Sequence, residues 1–540
     1  MSKISIRKRQ FRWLFGGVGF HNSEASMTPI MSEKLKNQVI LKSFREIAPT
    51  FSRVYAGFAD WTKEAMDTFA DYYDETFRSA GTLLYIVPGR MPYITDDFDM
   101  EEYSEKVAKN LDYLIKERKC TKVRYYCATN ELSVGNTYAW FANHLDLFQQ
   151  LHECLYKAFK RHNLDISLMA TDCSGVENFG QIEWATSRNN TMDEITGCYC
   201  VHLYSAKYLP GDMNAYNYFI ESLSPPVLQA QSREKRLVLG EFGITPKRHL
   251  TRIMSNDVSW NEENPEISNI YAISLCEMAM ASINCGCFAC ANWTFIDYPD
   301  PFIREDGDAK EEKSRYMVAC FSGHGTEIRY NKNGLIKWCD EEEDYSSKAS
   351  LYTMGYMAKL FKKGSRVLES SWDDESLRCC AVTNPDSSAS IVIINWDKSE
   401  KAITIELEHI SDKPYRKYEY RADNVPYNKF NDLQSAIGTV AFNQGETEVI
   451  LSPQSVTFLT TDYTDRTPSK IHNIKFSDGI LTWDKCQDKE HCYYRVFASD
   501  KKDFVPNYEN QIASTVAEYL QVDKPQKYYK VLSVDNSGNV

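Results

Sequence analysis

Two short stretches of the sequence each bring a carboxylic acid to the end of an apolar run. "VRYYCATNE" ends with Asn130 and Glu131, and "RLVLGEFG" carries Glu241. Both runs have the composition of buried parallel strands, and polar loop residues follow each of them. Acids that reach one cleft from two different strands could face one another. Two facing carboxyl groups are the minimal equipment for cleaving a glycosidic bond.

Eight segments of this strand-like kind occur along the chain, and they predict an α/β fold, a (β/α)₈ TIM barrel. Most are followed by a helical pattern; after the third, Tyr103, Val107 and Leu111 recur every four residues and mark one apolar helix face. Alternating strands and helices imply parallel strands joined by right-handed crossovers. The eight segments lie at or end at His21, Arg53, Gly89, Glu131, Asp172, Ser205, Gly243 and Phe295.

The length of 540 residues allows one large domain and one or two smaller ones. We predict the barrel over residues 1–368. The pattern then changes to short alternating strands, which predict a β-sandwich over residues 369–463. "IHNIKFSDGILTWD", "YYRVFAS" and "YYKVLSVDNSGNV" resemble a fibronectin type III domain over residues 464–540, with Trp483 as its early tryptophan. The pattern lacks the final strand of such a domain.

A long segment, residues 297–345, follows the eighth strand. It contains "RYNKNGLIKW", in which Asn333-Gly334 between strand-like flanks predicts a hairpin turn. Because loops on this face of a barrel line the site, we expect the segment to form one wall of the pocket. The alternative is an insertion that does not touch substrate.

The barrel resembles the clan A glycoside hydrolases, and the resemblance covers roughly two-thirds of the chain. A barrel followed by a sandwich further resembles family thirty-nine, which includes β-xylosidases and α-L-iduronidase, although here proline does not follow the acid motif. The clan resemblance rests on Arg53 in the second strand, Asn130 and Glu131 ending the fourth, His202 and Tyr204 in the sixth, Glu241 in the seventh and Trp293 in the eighth.

The resemblance implies a retaining mechanism with two acids in different roles. Glu131 would be the general acid and base, which burial and a second carboxylate would help to keep protonated. Glu241 would be the nucleophile and should stay ionised. Arg53 is its expected partner, since an adjacent guanidinium stabilises a carboxylate.

The remaining candidates would bind substrate or orient the acids. Tyr204 would donate a hydrogen bond to Glu241, and Asn130 would turn its amide towards the sugar 2-hydroxyl. Trp293 would offer a flat floor for a sugar ring. His202 and His21 would bond to hydroxyl groups.

Each candidate also has a structural alternative. Arg53 could be an ion-pair partner only, His202 a core histidine and Trp293 part of the barrel packing. For Asp172 and Glu24 a purely structural position is at least as well supported as a substrate contact.

Three functional hypotheses fit the sequence. The first is a retaining glycosidase that removes terminal sugars, β-glycosides first, from short oligosaccharides or glycosides. The second is a non-catalytic carbohydrate-binding barrel, which two mutually repelling acids disfavour. The third is an endo-acting glycanase or transglycosylase of the same clan.

Composition excludes several other classes. The formal net charge of −13 argues against nucleic-acid and anionic-membrane partners. Sixteen cysteines without a recognisable export signal predict a reducing, cytoplasmic location. Neither a metal pattern nor a cofactor motif is evident, so we expect neither. The two β-domains are the candidates for contacts between copies in a homo-oligomer.

Overall fold

The computed structural model describes residues 2–8, 14–56, 59–88, 98–132, 141–187, 191–205, 211–244, 265–303, 325–331, 333–340, 342–408, 411 and 413–540. Within these ranges, none of the helices combines the length and apolar composition that a membrane span requires. Gly89, the predicted end of the third barrel strand, lies outside the described residues. So does residue range 304–324 of the long segment after the eighth strand.

Strands β2 to β9 form a closed parallel barrel, which confirms the predicted fold. All residues of β2 and β3 are buried, as expected for strands covered on both faces. One further strand, β1 (Ser2–Arg7), precedes the barrel. The barrel strands are Gly17–His21, Phe51–Tyr55, Leu83–Val87, Val123–Cys127, Ser167–Ser174, Thr196–Ser205, Arg236–Ile244 and Ala289–Asn292.

Helices occupy the connections between the barrel strands. Tyr103, Val107 and Leu111 are buried on one face of α4, as their spacing predicts. The helices α1 to α10 are Leu41–Ile47, Lys63–Glu75, Phe77–Ala80, Met100–Asp112, Leu145–Arg161, Gly180–Thr186, Met192–Ile195, Asn214–Ser232, Pro265–Cys285 and Leu351–Leu360. Two π-helical turns, Leu35–Ile40 and Tyr113–Glu117, precede α1 and follow α4, and 3₁₀ turns lie at Ser23–Ser26, Thr28–Ile30, Val176–Asn178 and Tyr508–Asn510.

The segment after β9 begins with an antiparallel hairpin, β10 (Tyr298–Ile303) and β11 (Gly325–Asn331). The predicted hairpin turn at Asn333-Gly334 is wrong, because β11 pairs with β10, whereas Ile336, after the turn, bridges Ile296 and Ser347. Gly334 instead passes close to the end of the barrel: its N–H donates to Asp297 Oδ1 at 2.8 Å. A Cβ atom at Gly334 would lie 2.1 Å from the backbone nitrogen of Asp297, so only glycine fits.

A nine-stranded sheet follows the barrel and has its own core. β1 lies inside this sheet, antiparallel to β12 and parallel to β15, so the N-terminal strand of the chain joins the strands of its second half. The predicted boundary at residue 368 falls within β12. Strands β12 to β19 are Arg366–Trp372, Leu377–Thr383, Ala389–Asn395, Lys401–Leu407, Tyr415–Arg421, Gly438–Val440, Glu446–Leu451 and Ser455–Thr460.

The last part of the chain forms two three-stranded sheets, in the orders β20-β21-β24 and β23-β22-β25. Trp483 is buried in the hydrophobic core that side chains from the two sheets form. The likeness to fibronectin type III and the domain boundaries stay predictions. Strands β20 to β25 are Lys475–Ser477, Ile480–Thr482, His491–Ser499, Gln511–Thr515, Tyr519–Gln521 and Tyr528–Asp535.

Candidate active site

The carboxyl ends of the barrel strands bring the predicted site residues together. Bulges next to two of them aim their side chains: an extra residue in β6 coincides with Asp172, and an extra residue in β8, Gly240, precedes Glu241. A Cβ atom on Gly240 would lie 2.7 Å from the sulfur of Cys200, so the bulge needs glycine there. The predicted residues in this group are His21, Arg53, Asn130, Glu131, His202, Tyr204, Glu241 and Trp293.

Arg53 lies fully buried at the centre of the group. Its Nη1 is 2.8 Å from Glu241 Oε1 and 3.0 Å from His21 Nδ1. Its Nη2 donates to Asn130 Oδ1 and lies 3.4 Å from Asp172 Oδ2. Burial alone would lower the pKa of Arg53, but the charges of Glu241 and Asp172 raise it well above its usual value. Arg53 is therefore a permanent cation between two acids.

Glu241 is 4% exposed and held from two sides. In addition to Arg53, Tyr204 donates its hydroxyl proton to Glu241 Oε2 at 2.7 Å. Burial raises the pKa of Glu241 above its ordinary value, and the charges of His202 and Arg53 oppose that rise. The site thus both desolvates this carboxylate and supplies the charges that favour its ionised form.

His202 lies between three carboxyl groups. Its Nδ1 is 3.1 Å from Glu131 Oε1 and 3.5 Å from Glu241 Oε2, while Nε2 is 2.9 Å from Asp172 Oδ1. Burial lowers the pKa of His202, but Asp172 and Glu241 together raise it to about 10. At neutral pH the ring is therefore an imidazolium that is hydrogen-bonded to Glu131 at Nδ1 and ion-paired with Asp172 at Nε2, a role different from the predicted hydroxyl binding.

Glu131 and Asn130 follow β5 and form the other side of the site. Glu131 has a backbone φ of 53°, a left-handed conformation that is uncommon for a residue with a side chain. Its side chain keeps 19% exposure, more than that of Glu241. Asn130 accepts from Arg53 through Oδ1, which leaves its NH₂ group for other partners.

An aromatic wall stands beside Arg53. The ring centroids of His21 and Trp293 are 4.3 Å apart with an interplanar angle of 26°, and Tyr55 meets His21 edge-on at 4.3 Å. Burial and the charge of Arg53 lower the pKa of His21 well below its usual value. Because the neutral ring accepts from Arg53 at Nδ1, its proton is on Nε2.

Two sets of side chains have donor atoms close enough for a metal ion, within 4.8 Å of one another: Asp172 with Cys200 and His202, and Glu131 with His202 and Glu241. Both sets depend on His202, whose two nitrogens already face carboxylates. A metal would have to displace a proton from that ring, so the arrangement fits an imidazolium better than a ligand. The expected absence of metal and cofactor stays a prediction.

Asp172 is fully buried, in agreement with the structural alternative, but the sequence did not predict its partners. Tyr85 donates its hydroxyl proton to Asp172 Oδ1, and the Cys200 thiol lies 3.0 Å from the same oxygen. A signal for Asp172 was present, because it ends an apolar strand as Glu131 does. Nothing in the sequence marks Tyr85 or Cys200 as more than strand residues.

Glu24, the other acid weighed from the sequence, is held away from Arg53. Its Oε1 accepts from Asn22 at 2.7 Å and from the hydroxyl of Tyr72, on α2, at 2.8 Å. Burial raises the pKa of Glu24 to about 7. These contacts support the structural reading of Glu24.

A search of protein-family models gives no match, and neither does a search of curated protein sequences. Solved structures do match. The glycoside hydrolase family 30 subfamily 8 xylanase Xyn30A from Clostridium acetobutylicum is 12% identical, with a TM-score of 0.54, over 85% of this chain and 99% of that chain. At this identity the likeness establishes the fold.

Two further solved structures show the same architecture. The endo-β1,6-glucanase BT3312 is 14% identical with a TM-score of 0.52, over 85% of this chain and 93% of that chain. AbfB, a family 51 α-L-arabinofuranosidase from Bifidobacterium longum, is 11% identical with a TM-score of 0.54, over 85% of this chain and 99% of that chain.

Proposed function

We propose that the protein is a retaining glycoside hydrolase in which Glu241 is the nucleophile and Glu131 the general acid and base. The observation that carries the proposal is the approach of the two carboxyl groups: an oxygen of each lies within 4.8 Å of the other across the barrel mouth. Retaining glycosidases hold their acids about 5–5.5 Å apart, whereas inverting enzymes need about 6.5–9.5 Å for a water molecule.

The different surroundings of the two acids assign their roles. Glu241 is buried against Arg53 and Tyr204, which fix its orientation and favour its anionic form, as a nucleophile requires. Glu131 is more exposed, which suits an acid that must meet a leaving group and then a water molecule.

The reaction proceeds in two displacements. A Glu241 oxygen bonds to the anomeric carbon as the bond to the leaving oxygen breaks, and Glu131 gives its proton to that oxygen. Glu131 then takes a proton from water, whose oxygen bonds to the anomeric carbon while the ester bond to Glu241 breaks. At the end of the cycle Glu131 is protonated again and Glu241 is again a free carboxylate.

For the substrate we place β-glycosides first, cleaved from the terminal position of short oligosaccharides or glycosides. Two kinds of support exist for this class: the aromatic wall formed by His21, Tyr55 and Trp293 suits a sugar ring, and the similar structures include a xylanase and a glucanase. Membership of family thirty-nine and a fibronectin type III-like C-terminal domain are part of the same proposal.

An endo-acting glycanase is the second candidate. The specific observation in its favour is that BT3312 is described as an endo-β1,6-glucanase and another similar structure as an endoxylanase. A non-catalytic binding barrel fits less well, because a binding site gains nothing from holding two acids within 4.8 Å of one another.

The test is hydrolysis of a panel of aryl glycosides, xylan and β-1,6-glucan by the wild type and by Glu131→Ala and Glu241→Ala, with added azide. We expect cleavage of one sugar that both variants lose. Azide should then give a β-glycosyl azide with Glu131→Ala and an α-glycosyl azide with Glu241→Ala, as a β-retaining enzyme requires.

Glu24→Gln is the matched control, because it neutralises a buried acid outside the Arg53 group. This variant should hydrolyse the same sugar as the wild type. Activity only on polymers would favour the endo-acting candidate. No turnover by folded wild type on any of these substrates would contradict the proposal, and calorimetry with oligosaccharides would then test the binding protein.

A further inference from the structure

Asp172 occupies a position that the barrel builds specially. It is the extra residue of the bulge in β6: Thr171 pairs with Cys200 and Cys173 with Val201, so no residue of β7 faces it in register. Its backbone φ is 56°, a left-handed conformation that costs about 1 kcal/mol or more in a residue with a side chain. The surrounding structure must supply contacts that offset this strain.

Those contacts are a complete shell of donors around a buried carboxylate. Asp172 is 0% exposed. Oδ1 accepts hydrogen bonds from the hydroxyl of Tyr85 and the thiol of Cys200 and lies 2.9 Å from Nε2 of His202 in an ion pair, while Oδ2 lies 3.4 Å from Arg53. A group so enclosed is not placed to touch substrate. Its effect on chemistry must pass through one of these partners.

His202 is the partner that connects Asp172 to the acid. From the same ring, Nε2 faces Asp172 and Nδ1 faces Glu131 Oε1 at 3.1 Å. A neutral histidine has one N–H, so one of the two carboxylates would face a nitrogen lone pair. Only the doubly protonated ring has an N–H at both nitrogens, so that it can donate to Glu131 from Nδ1 and form an ion pair with Asp172 at Nε2.

We propose that Asp172 is a positioning residue that holds His202 in its doubly protonated form, so that Nδ1–H donates to Glu131 Oε1. The acid is thereby fixed with Oε1 as the acceptor and Oε2 as the atom that carries the proton for the leaving group. The orientation of Glu131 as the acid rests on the proposed function, whereas the effect of Asp172 on the charge of His202 does not. The cation also lies 3.5 Å from Glu241 Oε2, where it favours the ionised nucleophile.

Several charged or titratable groups surround His202 and affect whether its ring is protonated. Burial and the cations work against the protonated ring, and the three acids favour it, with a net rise of its pKa to about 10. Of the acids, Asp172 makes the shortest contact, at 2.9 Å. The groups that face the ring or its partners are Glu131 after β5, Arg53 in β3, His21 in β2, Tyr85 in β4, Asp172 in β6, Cys200 and Tyr204 in β7, and Glu241 in β8.

The first measurement needs no substrate. Histidine ring carbons labelled with ¹³C report protonation by NMR, and the signal of His202 is assigned by its loss in His202→Gln. We expect wild-type His202 to stay doubly protonated to pH 8 or above, because its pKa lies near 10. In Asp172→Asn the pKa should fall by about 2 units, since the nearest anion is gone.

Cys200→Ala is the matched control, because it removes a donor from the same oxygen of Asp172 and leaves the charge in place. It should keep the high pKa of His202. A wild-type His202 that loses its proton below pH 7 would overturn the proposal, and this result needs no variant to fold. An unchanged titration in folded Asp172→Asn would overturn it as well.

The second measurement tests the orientation of Glu131. Aryl glycosides with poor leaving groups need the proton of the acid, whereas 2,4-dinitrophenyl glycosides leave without it. Asp172→Asn should lower kcat/KM about 10²-fold on the former and much less on the latter, as expected when general acid catalysis is impaired. Equal losses on both would mean general damage to the site and contradict the positioning role.

The two proposals fail in different ways. If the wild type cleaves no glycoside, the proposed function is wrong, and the NMR titration still decides whether Asp172 sets the charge of His202. If the wild type is active and His202 titrates as an ordinary histidine, the glycosidase stands and the role of Asp172 does not.

Discussion

The chain buries two groups of charged side chains, and the groups differ in their ratio of acids to bases. At the site, three acids, Glu131, Asp172 and Glu241, lie against two bases, Arg53 and His202, so acids outnumber bases among the described residues. The second group, here called the junction, contains Lys42, Glu46, Asp432 and Arg495 together with the hydroxyl of Tyr493. Its two acids and two bases balance.

The junction ties together distant parts of the chain. Lys42, on α1, is 2.7 Å from both Glu46 Oε2 and Asp432 Oδ1, and it donates to a backbone carbonyl at 2.7 Å. Asp432 lies between β16 and β17 and is 3.0 Å from Arg495 in β22. This set of ion pairs therefore joins the barrel, the nine-stranded sheet and the C-terminal sheets. Through it, β22 of the C-terminal sheets is connected to α1 of the barrel.

The difference between the two groups shows what each is for. The buried atoms without a hydrogen-bond partner include His21 Nε2 and Arg53 Nε at the site, whereas none of the charged atoms of the junction is among them within the described part of the chain. A balanced, satisfied group can stabilise a fold, although its own desolvation is costly. An unbalanced, open group costs stability and leaves atoms for a ligand.

The largest expected effect separates activity from stability at the site. Glu241→Gln should lower kcat/KM on the order of 10⁴- to 10⁶-fold, as loss of a nucleophile does. The same change removes a buried carboxylate whose pKa is raised in the folded protein, so its ionisation costs folding free energy. Denaturant unfolding should therefore show equal or greater stability. A marked loss of stability would break the contrast with the junction.

At the junction the same kind of change should do the opposite. Asp432→Asn leaves Lys42 and Arg495 buried without their shared anion, and it should cost about 3–5 kcal/mol of unfolding free energy. The folded fraction should keep the wild-type kcat/KM. The control is Asp423→Asn, which breaks an exposed ion pair with Arg421 and should cost less than about 1 kcal/mol.

The sequence was sufficient to predict the barrel and its two acids. Apolar runs that end in Glu131 and Glu241 indicate both the strand and the acid at its end in one local signal. The same holds for Arg53, His202 and Trp293, which are fixed by their places on the strands. The grouping of these residues is predictable from sequence because the barrel gathers the carboxyl ends of its strands at one face.

Features that depend on register or on distant partners were not predictable. The importance of Asp172 comes from a bulge and a positive φ that appear only when β6 and β7 pair. β1 is a short run near the N terminus whose neighbours, β12 and β15, lie hundreds of residues away. The junction has the same character, since Lys42, Asp432 and Arg495 come from separate parts of the chain.

The two regions should also differ in their response to pH. Burial raises the pKa of Asp432, but Lys42 and Arg495 lower it below its usual value overall. The stability that this acid contributes is present above its unfolded pKa and is lost as the pH falls through its folded pKa. The deficit of Asp432→Asn should therefore be full at pH 7 and shrink in strong acid.

The pKa of Glu241 shifts in the opposite direction on folding, because burial raises it. Ionising it costs stability as the pH rises from its unfolded value through its folded pKa. Glu241→Gln should thus gain on the wild type as the pH rises above the ordinary glutamate pKa, whereas the deficit of Asp432→Asn should grow as the pH rises from strong acid to the ordinary aspartate pKa. Unfolding curves recorded from pH 2 to pH 8 would show the two differences moving in opposite directions. Parallel movement would mean that the site and the junction are not distinct in kind.

The smallest effects come from a matched pair of tyrosines. Tyr493 donates to Glu46 Oε1 at 3.2 Å in the junction, and Tyr204 donates to Glu241 Oε2 at 2.7 Å in the site. Tyr493→Phe should cost about 1 kcal/mol of stability, the worth of one hydrogen bond, with no change in kcat/KM. Tyr204→Phe should lower kcat/KM about tenfold, because one donor that orients the nucleophile is lost, while stability changes less than in Tyr493→Phe. Both substitutions remove a tyrosine hydroxyl that donates to a glutamate. A difference between their effects on stability and activity is therefore due to the groups around each glutamate. If both variants lost stability equally and neither lost activity, the surplus of acids over bases at the site would serve packing and not function.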